Sequence, residues 1–264
     1  MLNHVIVYGI HSYVGFALCE RFINEGIEVV GIYSTPTNPI SKNLLHERFM
    51  MVGRNALFNK IEGYEGTEAE KSADMIIHCC DDVGEASSVE KDRKQLVISV
   101  DLAKKLKKPF VFITYKNKSH DRLRKEHIEF CEQYLSSHLD HYTIFHLPVL
   151  FGPFQPITEE IHQFLMKDQR EVVLNINEPI LFIEDAVDTI WELLGLSEQR
   201  KIYALQGEMK QERVSLASME IQLNPGNSWN EGDDIYLIKN PISVEKGLKA
   251  QLEFIKKYRE ILSP

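Results

Sequence analysis

The 264-residue sequence is short of positive charge and has no long hydrophobic run. Its 30 Lys and Arg residues are outnumbered by 39 Asp and Glu residues, which gives a formal net charge of −9 at pH 7. That charge argues against nonspecific binding of nucleic acid, because the phosphate backbone is itself negative. No apolar run approaches the roughly 20 residues that a membrane helix needs, so we expect neither a membrane span nor secretion.

Cysteine is scarce as well. The four cysteines are Cys19, Cys79, Cys80 and Cys131. Their spacing fits neither a zinc motif nor a disulfide framework, so we expect small core residues of a reduced, cytoplasmic protein. His138, His141 and His146 have no acidic or cysteine partner at ligand spacing, and the sequence therefore predicts no metal site.

A turn of small residues follows the first apolar strand of the chain. Gly9, Ser12 and Gly15 have the spacing of a Gly-x-x-Gly-x-x-Gly turn, with serine in place of the middle glycine. A helical pattern begins at once, so backbone amides and the positive end of a helix dipole would point at one spot, as a pyrophosphate site requires. Ser12 is compatible with such a site only if its φ is negative. The alternative is a tight turn that binds nothing. The residues predicted to contact the cofactor here are Gly9, His11, Ser12, Tyr13, Val14 and Gly15.

Strand and helix patterns alternate through the first half of the chain. Further strands are predicted at 28–33, 49–52, 73–80, 109–114 and 142–147, with helices that include 121–136 and a loop over 35–43. This alternation predicts an α/β fold with a Rossmann-type, doubly wound parallel sheet, whose ligands bind at the carboxyl ends of the strands.

In the second half of the chain the alternation of strand and helix patterns becomes less regular. We predict helices over 158–167, 185–194 and 244–261, and a strand around 180–183. The predicted division is a dinucleotide-binding domain over 1–150, with a returning segment at about 180–206, and a smaller substrate-side lobe over 151–264.

Five stretches resemble motifs of one family, in the same order along the chain. They are Val7–Gly15, Asp74–His78, Leu147–Pro153, Phe182–Ala186 and Ser243–Leu248. In this respect the chain is similar to the extended short-chain dehydrogenases/reductases of the NAD-dependent epimerase/dehydratase kind. The resemblance implies an NAD or NADP cofactor, a small-molecule substrate, and a homodimer formed through two helices at about 88–107 and 121–136.

The cofactor positions depart from the family pattern at the adenosine end. Tyr33 stands at the end of the second strand, where NAD-binding members have Asp or Glu for the ribose hydroxyls. Losing such a hydrogen bond costs roughly 1.5–3 kcal/mol, which Tyr33 could offset in part by stacking on adenine. Ser34 is included in the same site. Arg54 meets either a 2′-phosphate or only solvent, so the choice between NAD and NADP stays open.

Two further pairs of residues are assigned to the cofactor by the resemblance. Cys79 and Cys80 replace small residues under the pyrophosphate and are expected to offer backbone contacts, to fill the core, or both. Pro148 is suited to pack against the nicotinamide. Val149 replaces an asparagine that helps to seat nucleotide-sugar substrates, which weakens the case for a UDP-sugar.

The catalytic pattern is incomplete. The family uses a Ser or Thr and a Tyr-x-x-x-Lys pair; Lys125 matches the lysine, but Asp121 stands where the tyrosine belongs. A carboxylate with an ordinary pKa near 3.9 is a poor proton donor at neutral pH. The remaining hydroxyls are those of Thr114 and Tyr115, and Tyr115 is either a replacement acid or a packed or loop residue.

Lys125 shares a helical stripe with Ile128, Cys131 and Leu135, so we expect its stem on the packed face, holding the ribose or snorkelling to solvent. Two functions remain. One is an NAD(P)-binding oxidoreductase or epimerase with an altered proton donor. The other is a catalytically silent nucleotide-binding scaffold or sensor.

Overall fold

A computed structural model describes nine parts of the chain: residues 2–63, 72–80, 86–115, 122–167, 173–195, 200–207, 211–216, 219–224 and 234–262. The strands are β1 (His4–Tyr8), β2 (Glu28–Tyr33), β3 (Phe58–Glu62), β4 (Met75–Cys79), β5 (Phe110–Tyr115), β6 (Tyr142–Leu147), β7 (Val149–Phe151), β8 (Val173–Ile176), β9 (Ile180–Phe182), β10 (Lys201–Gly207), β11 (Glu212–Leu216), β12 (Met219–Leu223) and β13 (Ile235–Ile238). The helices are α1 (Tyr13–Asn24), α2 (Pro39–Val52), α3 (Ala86–Leu106), α4 (Arg122–His138), α5 (Glu160–Met166), α6 (Ile183–Leu194), α7 (Val244–Lys257) and α8 (Arg259–Leu262).

Eight of the strands form one parallel sheet, in the order β13-β10-β6-β5-β4-β1-β2-β3. The order reverses at β1, which lies between β2 and β4. In doubly wound sheets the ligand crevice lies at this reversal, outside the carboxyl ends of the strands. The predicted Rossmann-type α/β fold is therefore confirmed.

Helices cover both faces of the sheet. Buried residues of α1, α2 and α6 share one hydrophobic cluster, and those of α3 and α4 share a second on the opposite face. Strand β1 serves both clusters, with Val5 and Val7 in the first and Ile6 and Tyr8 in the second. A strand buried on both sides needs such a continuous apolar run, which is why β1 could be predicted from the sequence.

Other strands that follow β6 in the chain form two smaller sheets. One has the order β11-β12-β8, and the other pairs β7 with β9 in parallel. The segment at about 180–206 divides between the β7-β9 pair and the main sheet, because β9 joins the pair and β10 joins the main sheet. Strand β13 also joins the main sheet. The division into domains stays a prediction.

The predicted strand at 49–52 is wrong, because these residues form the last turn of α2. Asn38 caps the helix by accepting hydrogen bonds from the amides of Ile40 and Ser41, and Pro39 follows at the first helical position. The helix therefore begins inside the predicted loop over 35–43. Phe49 is buried while Met50 and Met51 are exposed, as on a helix, but periodicity cannot distinguish a strand from a helix over an apolar run of four residues.

Among the described residues, no helix is long and apolar enough to cross a membrane.

Candidate functional site

The turn between β1 and α1 has the geometry that its glycines suggested. Gly9 has a φ of +80°, and a Cβ there would lie 2.1 Å from the carbonyl oxygen of Cys79. A Cβ on Gly15 would lie 2.3 Å from the carbonyl oxygen of Gly9. Both positions therefore require glycine, one for the backbone conformation and one for the close approach of helix to strand.

Ser12 adopts the backbone conformation that the turn requires without a positive φ. Its φ is −70°, and its hydroxyl accepts a hydrogen bond of 3.1 Å from the amide of Gly15 as the N-cap of α1. The side chain is thus turned into the helix end and stabilises it. The amides of the first turn of α1 point along the helix axis toward the carboxyl edge of the sheet, where they can meet an anion.

The expected adenosine end lies where β1, β2 and α3 meet. The amide of Ser34 donates to Nδ1 of His11 at 3.4 Å, and Gln95 of α3 donates to the Ser34 hydroxyl at 3.1 Å. The structure thus brings two predicted cofactor residues, His11 and Ser34, together. Gln95 is buried and was not predicted, since one glutamine in a long helix gives no sequence signal.

Tyr33 packs against the protein. Its ring meets Phe49 edge-on, with 5.0 Å between the ring centroids. Partial burial and the neighbouring Glu62 carboxylate raise the pKa of its phenol. Glu62 ends β3 directly beside Tyr33 and accepts a hydrogen bond from Thr35. A carboxylate therefore stands at this edge of the sheet on β3, one strand away from its expected position on β2.

Cys79 and Cys80 lie at the carboxyl end of β4, next to the glycine turn. Both side chains are buried, Cys79 in the cluster under α1 and Cys80 in the cluster under α3 and α4. The carbonyl of Cys79 faces Gly9, and the amide of Cys80 donates to Ile113. Both cysteines therefore fill the core, as expected, and their backbone contact with a cofactor stays a prediction.

The expected nicotinamide end is nearly filled by side chains. A cavity of about 10 Å³ remains there, about the room that one water needs. The guanidinium of Arg124 lies 5.0 Å from the centroid of the Tyr115 ring, and both side chains are buried. The lining consists of Tyr13, Tyr115, Arg124, Val149, Leu150, Pro156 and Glu159. Tyr115 and Val149 are thus brought together as predicted, with Pro148 buried between β6 and β7.

Arg48 of α2 binds the backbone of the glycine turn through its guanidinium. Its guanidinium donates to the carbonyl oxygens of His11 at 3.2 Å, Ser12 at 3.3 Å and Phe154 at 2.6 Å. It also lies 5.9 Å from the centroid of the Tyr13 ring. This buried arginine ties the turn to the 152–155 loop. It was missed because 49–52 was assigned to a strand.

The stem of Lys125 is not on the packed face, so that expectation is wrong. Its side chain is 73% exposed, with Nζ 4.0 Å from a carboxylate oxygen of Glu129. The buried stripe of α4 begins one residue earlier, at Arg124, and continues through His127, Cys131 and Leu135. Arg124, three residues before His127, therefore faces the cavity where Lys125 was expected. The catalytic role of Lys125 stays a prediction.

Two other predicted residues lie apart from the cavity. Arg54 follows the end of α2 and precedes β3, which places it at the amino edge of the sheet, opposite the glycine turn. Its contact with a 2′-phosphate stays a prediction. Thr114 is fully buried on β5, and its side chain alternates with that of Tyr115 to the other face of the strand. Asp121 lies outside the described residues.

No protein-family model matches the sequence. The uncharacterized protein YjaV of Bacillus subtilis (strain 168) is 33% identical over 61 residues, which are 23% of this chain and 33% of that protein. The match therefore spans about a third of the length of YjaV.

Solved structures match nearly the whole chain. UDP-glucuronic acid 4-epimerase from Bacillus cereus, in complex with NAD, has a TM-score of 0.72 over 97% of this chain and 98% of that chain, at 14% identity. WbmH from Bordetella bronchiseptica, in complex with NAD+, has a TM-score of 0.67 over 98% and 99%, at 14% identity. The dTDP-glucose 4,6-dehydratase from Bacillus anthracis str. Ames, with NAD, has a TM-score of 0.68 over 98% of each chain, at 12% identity. The chain therefore has the fold of the NAD-dependent epimerases and dehydratases, the extended short-chain dehydrogenases/reductases that its motifs resemble.

Proposed function

We propose that the chain binds NAD or NADP across the carboxyl edge of the sheet, as an epimerase/dehydratase-like protein. The observation that carries the proposal is the turn at Gly9–Gly15, where both glycines are required and Ser12 caps the helix without a positive φ. The crystallised neighbours of the same fold hold NAD, which supports this choice of cofactor.

Equilibrium titration with NADH and NADPH, followed by cofactor fluorescence, tests binding. Gly9→Ala should abolish it, because the new methyl group meets the Cys79 carbonyl. Gly26→Ala is the matched control, since Gly26 has nearly the same φ of +79° with nothing within 4 Å of a Cβ. Equal affinity of the two variants for the cofactor would contradict the proposal.

A second pair of variants leaves the turn intact. His11→Glu places a carboxylate beside the expected pyrophosphate and should weaken cofactor binding at least about tenfold through like-charge repulsion. His46→Glu makes the same change of charge on an exposed position of α2 and should leave binding unchanged.

For the chemistry, we assign the proton transfer to Tyr115. It lines the cavity, and the Arg124 cation beside its ring takes the place that the family gives to lysine. Tyr115→Phe should then remove turnover of sugar nucleotides, such as those in the crystallised neighbours, and leave cofactor affinity within about twofold. Lys125→Ala distinguishes this assignment from the role predicted for Lys125: neither quantity should change if Arg124 replaces the lysine, and turnover should be lost if Lys125 itself acts.

The second candidate is a nucleotide-binding protein without turnover. It is favoured by the cavity of about 10 Å³, which is too small for a nicotinamide ring while Arg124 lies over Tyr115. This candidate predicts that ADP-ribose, which lacks the nicotinamide, binds as tightly as NADH. It also predicts that added sugar nucleotides leave the near-ultraviolet absorbance of the bound cofactor unchanged.

A further inference from the structure

A second group of reactive side chains lies on the face of the sheet under α3 and α4. Cys80 follows β4, Asp92 lies on α3, and His127 lies on α4. One sulfur, one carboxylate oxygen and one imidazole nitrogen of these residues lie within 4.8 Å of one another. None of the three residues is more than 3% exposed. Three elements distant in sequence therefore converge on one buried point.

The carboxylate of Asp92 is paired on both of its oxygens at this point. One carboxylate oxygen is 2.6 Å from Nε2 of His127, and the other is 3.1 Å from Nε2 of His78. A fully buried anion requires partners of this kind.

His78 positions the carboxylate. It is fully buried on β4, stacks on Tyr8, and has its Nδ1 3.4 Å from the hydroxyl of Ser99. It engages only one oxygen of Asp92, so the other faces His127 and the thiol side of the cluster. Hydrogen bonds of this kind orient the ligands in metal sites.

We propose that Cys80, Asp92 and His127 bind one zinc ion that ties the end of β4 to α3 and α4. A thiolate, an imidazole and a carboxylate are donors that zinc accepts in tetrahedral sites. Bonds of about 2.0–2.3 Å place such ligand atoms roughly 3.2–3.7 Å apart, so shifts of about 1 Å in the side chains bring these three ligands into position, and a water molecule takes the fourth.

The protons can be followed through the binding step. The Cys80 thiol releases its proton to solvent and binds the metal as a thiolate. His127 binds the metal through Nε2, so its single proton moves to Nδ1. The Nδ1–H group then donates to the sulfur of Cys131, which lies 3.6 Å away. Arg93, whose Nε now donates to the same Nδ1 at 3.3 Å, turns away.

The test uses the full chain with any histidine tag removed, reduced, stripped with a chelator and then loaded with Co²⁺ or Zn²⁺. We expect one metal per chain and, with Co²⁺, a near-ultraviolet charge-transfer band from thiolate to metal. Cys80→Ser should remove this band and weaken zinc binding at least about tenfold. Cys19→Ser should retain both, because Cys19 is equally buried but lies on α1 across the sheet.

Absence of stoichiometric metal would overturn the proposal, and would leave a hydrogen-bond network that is complete by itself. A charge-transfer band that persists in Cys80→Ser would do the same. X-ray absorption at the zinc edge of the unmodified chain decides the matter if Cys80→Ser fails to fold. One sulfur with nitrogen or oxygen ligands supports the site, and a shell without sulfur excludes it.

Discussion

The guanidinium of Arg48 donates a hydrogen bond of 2.6 Å to the carbonyl oxygen of Phe154, which lies 106 residues further along the chain. The same group holds the carbonyls of His11 and Ser12 in the glycine turn. Gln251 fixes the far side of this loop, since its side chain accepts from the amide of Gly152 at 3.0 Å. The turn expected to bind a pyrophosphate is therefore braced by α2 and, through the 152–155 loop, by α7.

Arg48→Met should lower the free energy of unfolding by roughly 2–4 kcal/mol. The aliphatic stem is kept, but the carbonyl oxygens of His11, Ser12 and Phe154 lose a charged donor, and only that of Ser12 keeps a backbone hydrogen bond among those described, from the amide of Phe16. Chemical denaturation measures the loss. Arg54→Met, at an exposed position two residues beyond the end of the same helix, should change the stability by less than about 0.5 kcal/mol. A similar effect of both substitutions would contradict the bracing role of Arg48.

Asp92→Asn should destabilise the metal-free protein by about 3 kcal/mol or more. The substitution keeps the size of the side chain but removes the anion that two buried imidazoles share. Urea unfolding in the presence of a chelator measures this effect. Asp101→Asn, on an exposed position of the same helix, is the control and should be close to neutral.

His162 should make stability depend on pH between about 4 and 6.5. Burial lowers the pKa of this imidazole to about 4 in the folded chain, although the backbone of Gln155 acts in the opposite direction. In the unfolded chain the pKa is near 6.5, so the unfolded state binds more protons within this window. Stability is therefore complete above about pH 6.5 and is lost as the pH falls toward 4, by on the order of 3 kcal/mol.

His162→Leu should flatten this part of the stability profile, as followed by denaturant unfolding at a series of pH values. His141→Leu, at an exposed position, should leave the profile unchanged. A wild-type profile that is already flat between pH 4 and 6.5 would show that the imidazole is not held neutral by burial.

Gly247→Ala should destabilise the protein by about 1–3 kcal/mol, although alanine is the better helix former. A Cβ at Gly247 would lie 2.7 Å from the rings of both Phe151 and Phe182, so α7 could not keep its contact with β7 and β9. Gly195→Ala is the control, because a Cβ there meets only an ordinary contact of 3.5 Å. Thermal unfolding of the two variants distinguishes crowding from helix propensity.

The register of α4 shows where sequence reasoning reached its limit. Stripes starting at Arg124 and at Lys125 both include Cys131 and Leu135 within one helical face, so periodicity could not choose between them. In the folded chain the buried face of α4 contains Arg124, whose guanidinium packs against the Tyr115 ring across the cavity. The family motif pointed to Lys125, and the structure places that lysine in solvent.

The sequence by itself determined the parallel sheet and the glycine turn. These depend on neighbours in the chain: continuous apolar runs such as β1, and positions such as Gly9 where the backbone demands glycine. Only the tertiary structure decided which side chains meet. Cys80, Asp92 and His127 come together because β4, α3 and α4 pack on one face, and Arg48 meets Phe154 because α2 folds over the turn. Contacts between distant segments arise from packing, which no local pattern encodes.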